Sequence, residues 1–190
     1  MILMNLEEWR KMIGKERMEK DMFFKTHSES PIPLEERVKF KGLSYYPPNP
    51  KYKFVIPLHE HKEKIEIQVM DTAGQIRIFK RWGEFRFVID GKEYKLQVYT
   101  NNPLEEELFI PFKDTTNGKE TYSAGRYLDL YYHRDRTPGG NWILDFNKAY
   151  NPWCAYNTKY ACPFVPPENW LNIPIPAGEK DYKRGDSNDA

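Results

Sequence analysis

The stretch Phe85-Arg-Phe-Val-Ile-Asp-Gly-Lys-Glu-Tyr-Lys-Leu-Gln-Val98 decides the fold. Phe85, Phe87 and Ile89 alternate with Arg86 and Val88, the period of a half-buried strand, and Asp90-Gly91 is the dipeptide favoured by a two-residue type I′ turn. The segment therefore reads as a β-hairpin. The same period extends toward the N-terminus, where Ile65, Ile67 and Val69 alternate with Glu66 and Gln68, and Ile76 and Ile78 flank Arg77. Asp71-Thr72-Ala73-Gly74 separates these two runs as a short hairpin loop, so at least four consecutive strands form an antiparallel meander. Further strands are expected at 108–112, 126–133 and 141–146, with Thr116-Asn117-Gly118 and Pro138-Gly139-Gly140 as turns. The β core spans 52–146, and its roughly seven or eight strands suffice to close a barrel or stack a sandwich.

Different patterns flank this core. Residues 3–24 read as a helix with Asn5 as cap, because Leu6, Trp9, Met12, Ile13 and Phe23 fall within one sector at about 100° per residue. Glu16 and Lys20 form an i,i+4 pair on its solvated side. A second short helix is expected to start at Pro33, before Leu34-Glu35-Glu36-Arg37. Residues 147–178 contain Pro152, Pro163, Pro166, Pro167, Pro174 and Pro176, which excludes a long helix or a central strand. The same segment carries Tyr150, Trp153, Tyr156, Tyr160, Phe164, Trp170 and Leu171, too much apolar surface for a free linker. It is expected to wrap across the sheet, with Trp153, Phe164 and Trp170 burying most of their rings. Residues 181–190 are polar and read as a frayed tail. The whole chain, 1–190, reads as a single domain of mainly β class with an N-terminal α-helix and a structured Pro-rich C-terminal wrap.

Composition removes several function classes. Aromatic residues make up 15 % of the chain, whereas the net charge of +1 supplies no bulk attraction to nucleic acid or to an anionic membrane. Lys80-Arg81-Trp82 and Tyr131-Tyr132-His133-Arg134 mix basic and aromatic residues, a pattern that sheet packing explains without a bound strand. The N-terminus turns charged after a few apolar residues, and no later run approaches the ~18 apolar residues of a membrane span, so a soluble cytoplasmic protein is expected. The phosphate-loop, dinucleotide, serine-hydrolase and zinc-protease signatures are missing from the sequence.

Several strings resemble one family across nearly the whole chain. They are Leu108-Phe-Ile-Pro-Phe-Lys-Asp114 with Thr116, Gly118, Glu120-Thr121-Tyr122, Gly125-Arg126-Tyr127 and Asp129; then Leu144-Asp-Phe-Asn147, Ala149-Tyr-Asn-Pro152, Cys154-Ala-Tyr156, Cys162-Pro163, Pro167-Glu-Asn169 and Ala177-Gly-Glu179. Arg17, Lys20-Asp21, Phe24, Ser30-Pro31 and Phe40-Lys-Gly-Leu43-Ser-Tyr45 extend the likeness to the N-terminal part. Together they resemble the domain of unknown function family 1684 (DUF1684). Trp153 departs from that pattern, in which a second proline is expected. The resemblance implies positions worth testing and no particular reaction.

The candidate ligand-binding residues are Tyr122, Arg126, Asp129, Asp145, Asn147, Tyr150, Asn151, Glu168 and Asn169. In one reading Arg126 binds an anionic or hydroxylated ligand in a barrel mouth and Asp145 acts as a base. In the other, an internal Arg–Asp bridge anchors the wrap and Asn147 caps a turn. Cys154 and Cys162 admit a disulfide, a zinc site completed by His59 and His61, or a catalytic thiolate with His133 as its base. Their spacing is not the tight knuckle of a zinc ribbon, and neither a metal nor a cofactor is expected. The resulting expectation is a small-ligand-binding or scaffold β domain, with an enzyme of unassigned reaction around Arg126, Asp145 and Cys154 as the alternative. A small molecule is the expected partner, and neither nucleic acid nor membrane is. Ligand identity and oligomeric state stay open at this level.

Overall fold

A computed structural model of the protein describes residues 4–101 and 107–182. The first helix, α1, runs Leu6–Thr26, and its start is set by a capping box: Asn5 accepts from the Glu8 N–H at 2.9 Å while Glu8 accepts from the Asn5 N–H at 3.1 Å. Asn5 is extended, so the helix begins at Leu6 rather than at residue 3, a position outside the described residues. Trp9, Ile13 and Phe24 form its buried stripe. A single turn, α2, follows at Leu34–Arg37, with Pro33 as its cap rather than its first residue.

Eight strands follow among the described residues: β1 Lys53–Ile56, β2 His59–Glu60, β3 Glu66–Met70, β4 Ile76–Ile89, β5 Lys92–Thr100, β6 Glu107–Phe112, β7 Arg126–Tyr131 and β8 Trp142–Asp145. All pairings between them are antiparallel. Asp90 and Gly91 both have positive φ, 51° and 78°, and Ile89 pairs with Lys92, as a two-residue hairpin requires. At the other hairpin, the buried Asp71 carboxylate accepts from Ala73 N, Gln75 N and Arg77 Nε at 2.9–3.0 Å.

The larger sheet has the order β2-β4-β5-β6-β7, with β3 also pairing to β4, and β1 and β8 form a separate two-stranded sheet. These sheets do not close into a barrel. Three boundaries differ from the sequence reading. The runs at 76–78 and 85–89 are one strand, because Lys80 and Arg81 continue the ladder to Thr100 and Tyr99 and a register shift at Gly83 absorbs the extra residue. The strand expected at 126–133 ends at Tyr131, where the chain enters a helical turn, α3, Tyr132–Asp135, and the Asp135 carboxylate accepts from Tyr131 N. The strand expected at 141–146 stops at Asp145, which caps a 3-10 turn at Phe146–Lys148.

Alternation gives the larger sheet two different faces. Leu108, Ile110, Leu128 and Leu130 join Phe85, Phe87, Leu96, Val98, Trp142, Leu144 and Phe146 in the main core. Glu107, Phe109, Tyr127 and Asp129 point the other way, toward a second apolar cluster of Val69, Phe79 and Tyr99. The segment 147–178 crosses this outer face around Pro163, Phe164 and Pro166 and joins the main core at Ala149, Leu171, Ile175 and Ala177. It is tied there by reciprocal backbone bonds between Tyr127 and Tyr150, by Phe164 N to Met70 O, and by Leu171 N to Lys113 O. Its buried residues include Tyr156, Val165, Leu171, Ile175 and Ala177. Contrary to the sequence reading, Phe164 and Trp170 are 44 % and 56 % exposed. Trp170 lies under the Lys113 ammonium and donates to Val165 O, so its ring covers a surface cation while smaller side chains fill the interior. The tail expected to fray lies outside the described residues from 183 onward.

Gly178 fixes the end of the wrap. Its φ is +79°, and a Cβ there would sit 2.7 Å from the carbonyl oxygens of Phe146 and Ala149. Gly91 has nearly the same φ, but nothing lies within 4 Å of its Cβ position. Gly178→Ala is therefore expected to lower the unfolding free energy by about 2 kcal/mol or more, and Gly91→Ala by about 1 kcal/mol. Urea midpoints of the two variants check this, and equal losses would contradict it.

Candidate functional site

Most of the polar residues singled out in the sequence are engaged in holding the chain together. Arg126, at the start of β7, is fully buried and pairs with Asp114 at 2.7 Å. It also donates to the carbonyls of Ile175, Ala177 and Glu179 at the end of the wrap. Asp145 accepts from Trp9 Nε1 at 2.8 Å and from both the backbone and side-chain nitrogens of Asn147. Asn147 in turn exchanges two hydrogen bonds with the Asn49 backbone. Asn151 donates to Lys180 O and to Glu179, whose buried carboxylate meets Lys20 at 2.7 Å. Asn169 mimics a strand, accepting from Gln97 N and donating to Gln97 O and Pro111 O. Glu168 accepts from Tyr99 Oη at 2.5 Å and pairs with Arg81 at 2.8 Å. Among the described residues, Arg126, Asp145 and Cys154 share no hydrogen-bond partner.

Asp129 and Tyr150 are placed differently. Both line a cavity of about 210 Å³ between the outer face of the sheet and the wrap. Its floor is Phe79, Phe109 and Tyr127, and its rim includes Arg77, Thr100, Asn101, Glu107 and Pro163. Asp129 reaches it because residues 127, 129 and 131 of β7 share the face of 107 and 109 of β6, with Phe109 directly opposite Asp129. Tyr150 reaches it because the Tyr127–Tyr150 bridge sets the wrap beside β7. The Tyr150 hydroxyl donates to Asp129 Oδ2 at 2.5 Å. Tyr131 Oη donates to Glu107 at 2.9 Å, and Tyr127 Oη donates to Pro163 O. Arg77 is held at the rim by Asp71 and the Ala161 carbonyl.

The electrostatics follow from burial. Desolvation lifts the Asp129 carboxyl to about 6, with the Tyr150 hydrogen bond opposing the rise and the nearby Glu107 charge adding to it. Burial and the Asp129 charge push the Tyr150 phenol well above its ordinary range, which keeps it a donor at neutral pH. The site thus offers two carboxylates, one of which changes charge near neutrality, over an aromatic floor. Such a site can accept hydrogen bonds from hydroxyl or ammonium groups, and Asp129 can take or give a proton. Glu107, Arg77, Phe79, Phe109 and Tyr127 were not among the candidates read from the sequence. Strand parity carries the signal for three of them, since 107 and 109 face one way whenever 108 and 110 fill the core; Arg77 and Phe79 required the pairing of β4.

The two cysteines meet within the wrap. The Cys154 N–H donates to Cys162 Sγ at 3.4 Å, and Tyr122 Oη lies 3.7 Å from Cys154 Sγ. Both thiols are free and mostly buried. His61 Nε2 is 2.7 Å from Gln97 Oε1, and no group of three or more His, Cys, Asp or Glu suited to a metal occurs among the described residues.

The family model described as "Protein of unknown function (DUF1684)" matches residues 38–180. The chain belongs to the DUF1684 family. A solved structure supports the same fold: the uncharacterized protein from gene locus rrnAC0354 of Haloarcula marismortui, determined by solution NMR, is 37 % identical to this chain. That likeness covers 92 % of this DUF1684 protein and 95 % of the other chain, with a TM-score of 0.70. A search of curated proteins found no match. Among the described residues no helix is long and apolar enough to cross a membrane.

Because Asp129 has a higher pKa folded than the ~3.9 of an unfolded Asp, its stabilising contribution is complete below about pH 4 and is lost as pH rises through about 6. Asp129→Asn removes that loss. Relative to wild type, the variant is expected to gain on the order of 2–3 kcal/mol of unfolding free energy between pH 4 and pH 7.5. Denaturant titrations across this range check the expectation, and a pH-independent difference between the proteins would contradict it.

Proposed function

We propose that this DUF1684 protein is a small-ligand-binding β domain, and that its site is the cavity between the outer sheet face and the wrap. The observation that carries the reading is the meeting of Asp129, Tyr150 and Glu107 over the rings of Phe79, Phe109 and Tyr127 in one concave space. Scattered surface carboxylates do not collect over apolar rings, whereas ligand sites pair an apolar body with a few converging polar groups. The chemistry suits a small ring-bearing compound with hydroxyl or ammonium donors: the floor takes the ring and the carboxylates take the donors. The reading extends to a single-domain cytoplasmic protein with its two sheets stacked as a sandwich. The net charge of +1 supports a small molecule over nucleic acid as partner.

An enzyme is the second reading, and Asp129 favours it. A carboxyl titrating near neutrality beside a phenol is suited to moving a proton. This moves the catalytic alternative from Arg126, Asp145 and Cys154 to the cavity.

Benzylamine, benzyl alcohol and benzoate, titrated separately into isotopically labelled protein, test the binding reading. The amine and the alcohol are expected to shift amides around Phe109, Asp129 and Tyr150 saturably, and benzoate is not. Asp129→Asn should weaken the amine about tenfold or more, the size of one lost charge-assisted hydrogen bond. Shifts that are absent, scattered over the surface or indifferent to Asp129→Asn would overturn the assignment.

A further inference from the structure

Three features of the cysteine pair call for an explanation that the ligand site does not provide. The first is convergence: Cys154 lies in a 3-10 turn, Trp153–Ala155, packed toward α1 through Trp153 and Tyr156, whereas Cys162 lies on a segment bonded to the β3–β4 hairpin. The seven residues Ala155–Ala161 loop out between them, and yet Cys162 Sγ returns to within hydrogen-bonding distance of Cys154 N. The second is that a disulfide is not needed to bring them there. Cys162 is fixed by its own backbone, donating to Thr72 Oγ1 at 3.1 Å and accepting from Thr72 N at 3.0 Å, with both thiols free.

The third is asymmetry. Cys154 has Tyr122 Oη at 3.7 Å in addition to Cys162, and backbone N–H groups of its own turn face the sulfurs. Hydrogen bonding from Cys162 holds the Cys154 thiol below the ordinary thiol range, and the same interaction raises Cys162. The thiolate is the reactive form, and the Tyr122 hydroxyl, 3.7 Å from Cys154 Sγ, is placed to stabilise a thiolate there.

We propose that Cys154 and Cys162 are a reversible dithiol–disulfide site in which Cys154 is the nucleophile and Cys162 the resolving thiol, with a peroxide as oxidant. Both residues are only 8 % exposed, which favours an oxidant as small as hydrogen peroxide. In the first step the Cys154 thiolate attacks one peroxide oxygen, the O–O bond breaks, and the hydroxide that leaves takes up a proton to become water. Cys154 is then a sulfenic acid. In the second step the Cys162 sulfur attacks the Cys154 sulfur, the S–O bond breaks, and the hydroxide leaves as a second water with the Cys162 proton. Two thiols and one peroxide give one disulfide and two waters, and a dithiol reductant reverses the change. The chemistry does not depend on the ligand reading of the cavity.

The test treats reduced, native full-length protein with hydrogen peroxide, then quenches with acid and reads the intact mass and the titratable thiols. The expected result is loss of both thiols, a mass lower by two hydrogens, a peptide linking 154 to 162, and full reversal by dithiothreitol. Cys162→Ser should instead accumulate a sulfenic acid that dimedone traps at Cys154. Retention of both thiols until the protein is denatured would overturn the proposal, as would oxidation of Cys154→Ser as fast as Cys162→Ser. The wild-type mass decides the matter even if a serine variant fails to fold.

Discussion

The pairing of Arg126 with Asp114, both wholly buried, is the constraint on which the rest depends. Removing a guanidinium and a carboxylate from water costs several kcal/mol per ion, and their attraction offsets it only when the remaining donors and acceptors are satisfied. Asp114 also accepts from Thr116 N at 2.7 Å, which shapes the turn after β6. Arg126 reaches past it to three carbonyls of the wrap, while the Phe112 ring lies 5.2 Å from its guanidinium carbon. Among the described residues its Nε has no acceptor. A cation placed at the first residue of β7, on the same face as Leu128 and Leu130, therefore fixes the end of the C-terminal segment against the sheet through three carbonyls.

The consequence is a sheet covered on both faces by different means. One face packs against β1, β8 and their aromatic neighbours in an ordinary apolar core. The other is roofed by a proline-rich chain that lacks regular hydrogen bonding and so must be pinned at separate points, Tyr150 on Tyr127, Phe164 on Met70 and Asn169 on Lys113, before the chain turns to the core face, where Leu171, Ile175 and Ala177 join the apolar core and the carbonyls of Ile175, Ala177 and Glu179 meet Arg126. A roof fixed at points leaves space between them. The cavity with Asp129 lies in one such gap, which explains how a carboxyl group on a strand can be largely desolvated and yet line an accessible recess. The cysteine pair lies where the roof changes anchor from α1 to the β3–β4 hairpin.

Local elements were legible in the sequence to the extent that neighbouring residues determine them. The Asp90-Gly91 hairpin, the capped helix and the period-two strands depend on contacts within a few positions, and each is found near where its pattern lies. The single long β4 was hidden, because Lys80-Arg81-Trp82-Gly83 breaks the alternation and only the partners Tyr99 and Thr100 show that the ladder continues. Burial in the wrap was likewise hidden: ring size suggested Phe164 and Trp170, but backbone anchoring decided which side chains point inward. An internal Arg–Asp bridge was legible as a possibility for Arg126, though its partner, Asp114, stands in a turn whose return to β7 depends on the β6–β7 register. Asp129 and Tyr150 could be named from sequence; their meeting could not, since it requires the wrap to lie beside β7.

Native-state hydrogen exchange tests the central claim, that the wrap and the sheet form one cooperative unit. The amides of Leu171 and Glu179, bonded to Lys113 O and Ala149 O, report on the wrap, and those of Leu96 and Ile110 report on the sheet. If the buried Arg126 makes the roof inseparable from the core, all four exchange with the same opening free energy and respond to denaturant with the same slope. Exchange of Leu171 and Glu179 at a much lower free energy, with Leu96 and Ile110 still protected, would show that the roof lifts independently and would contradict the account.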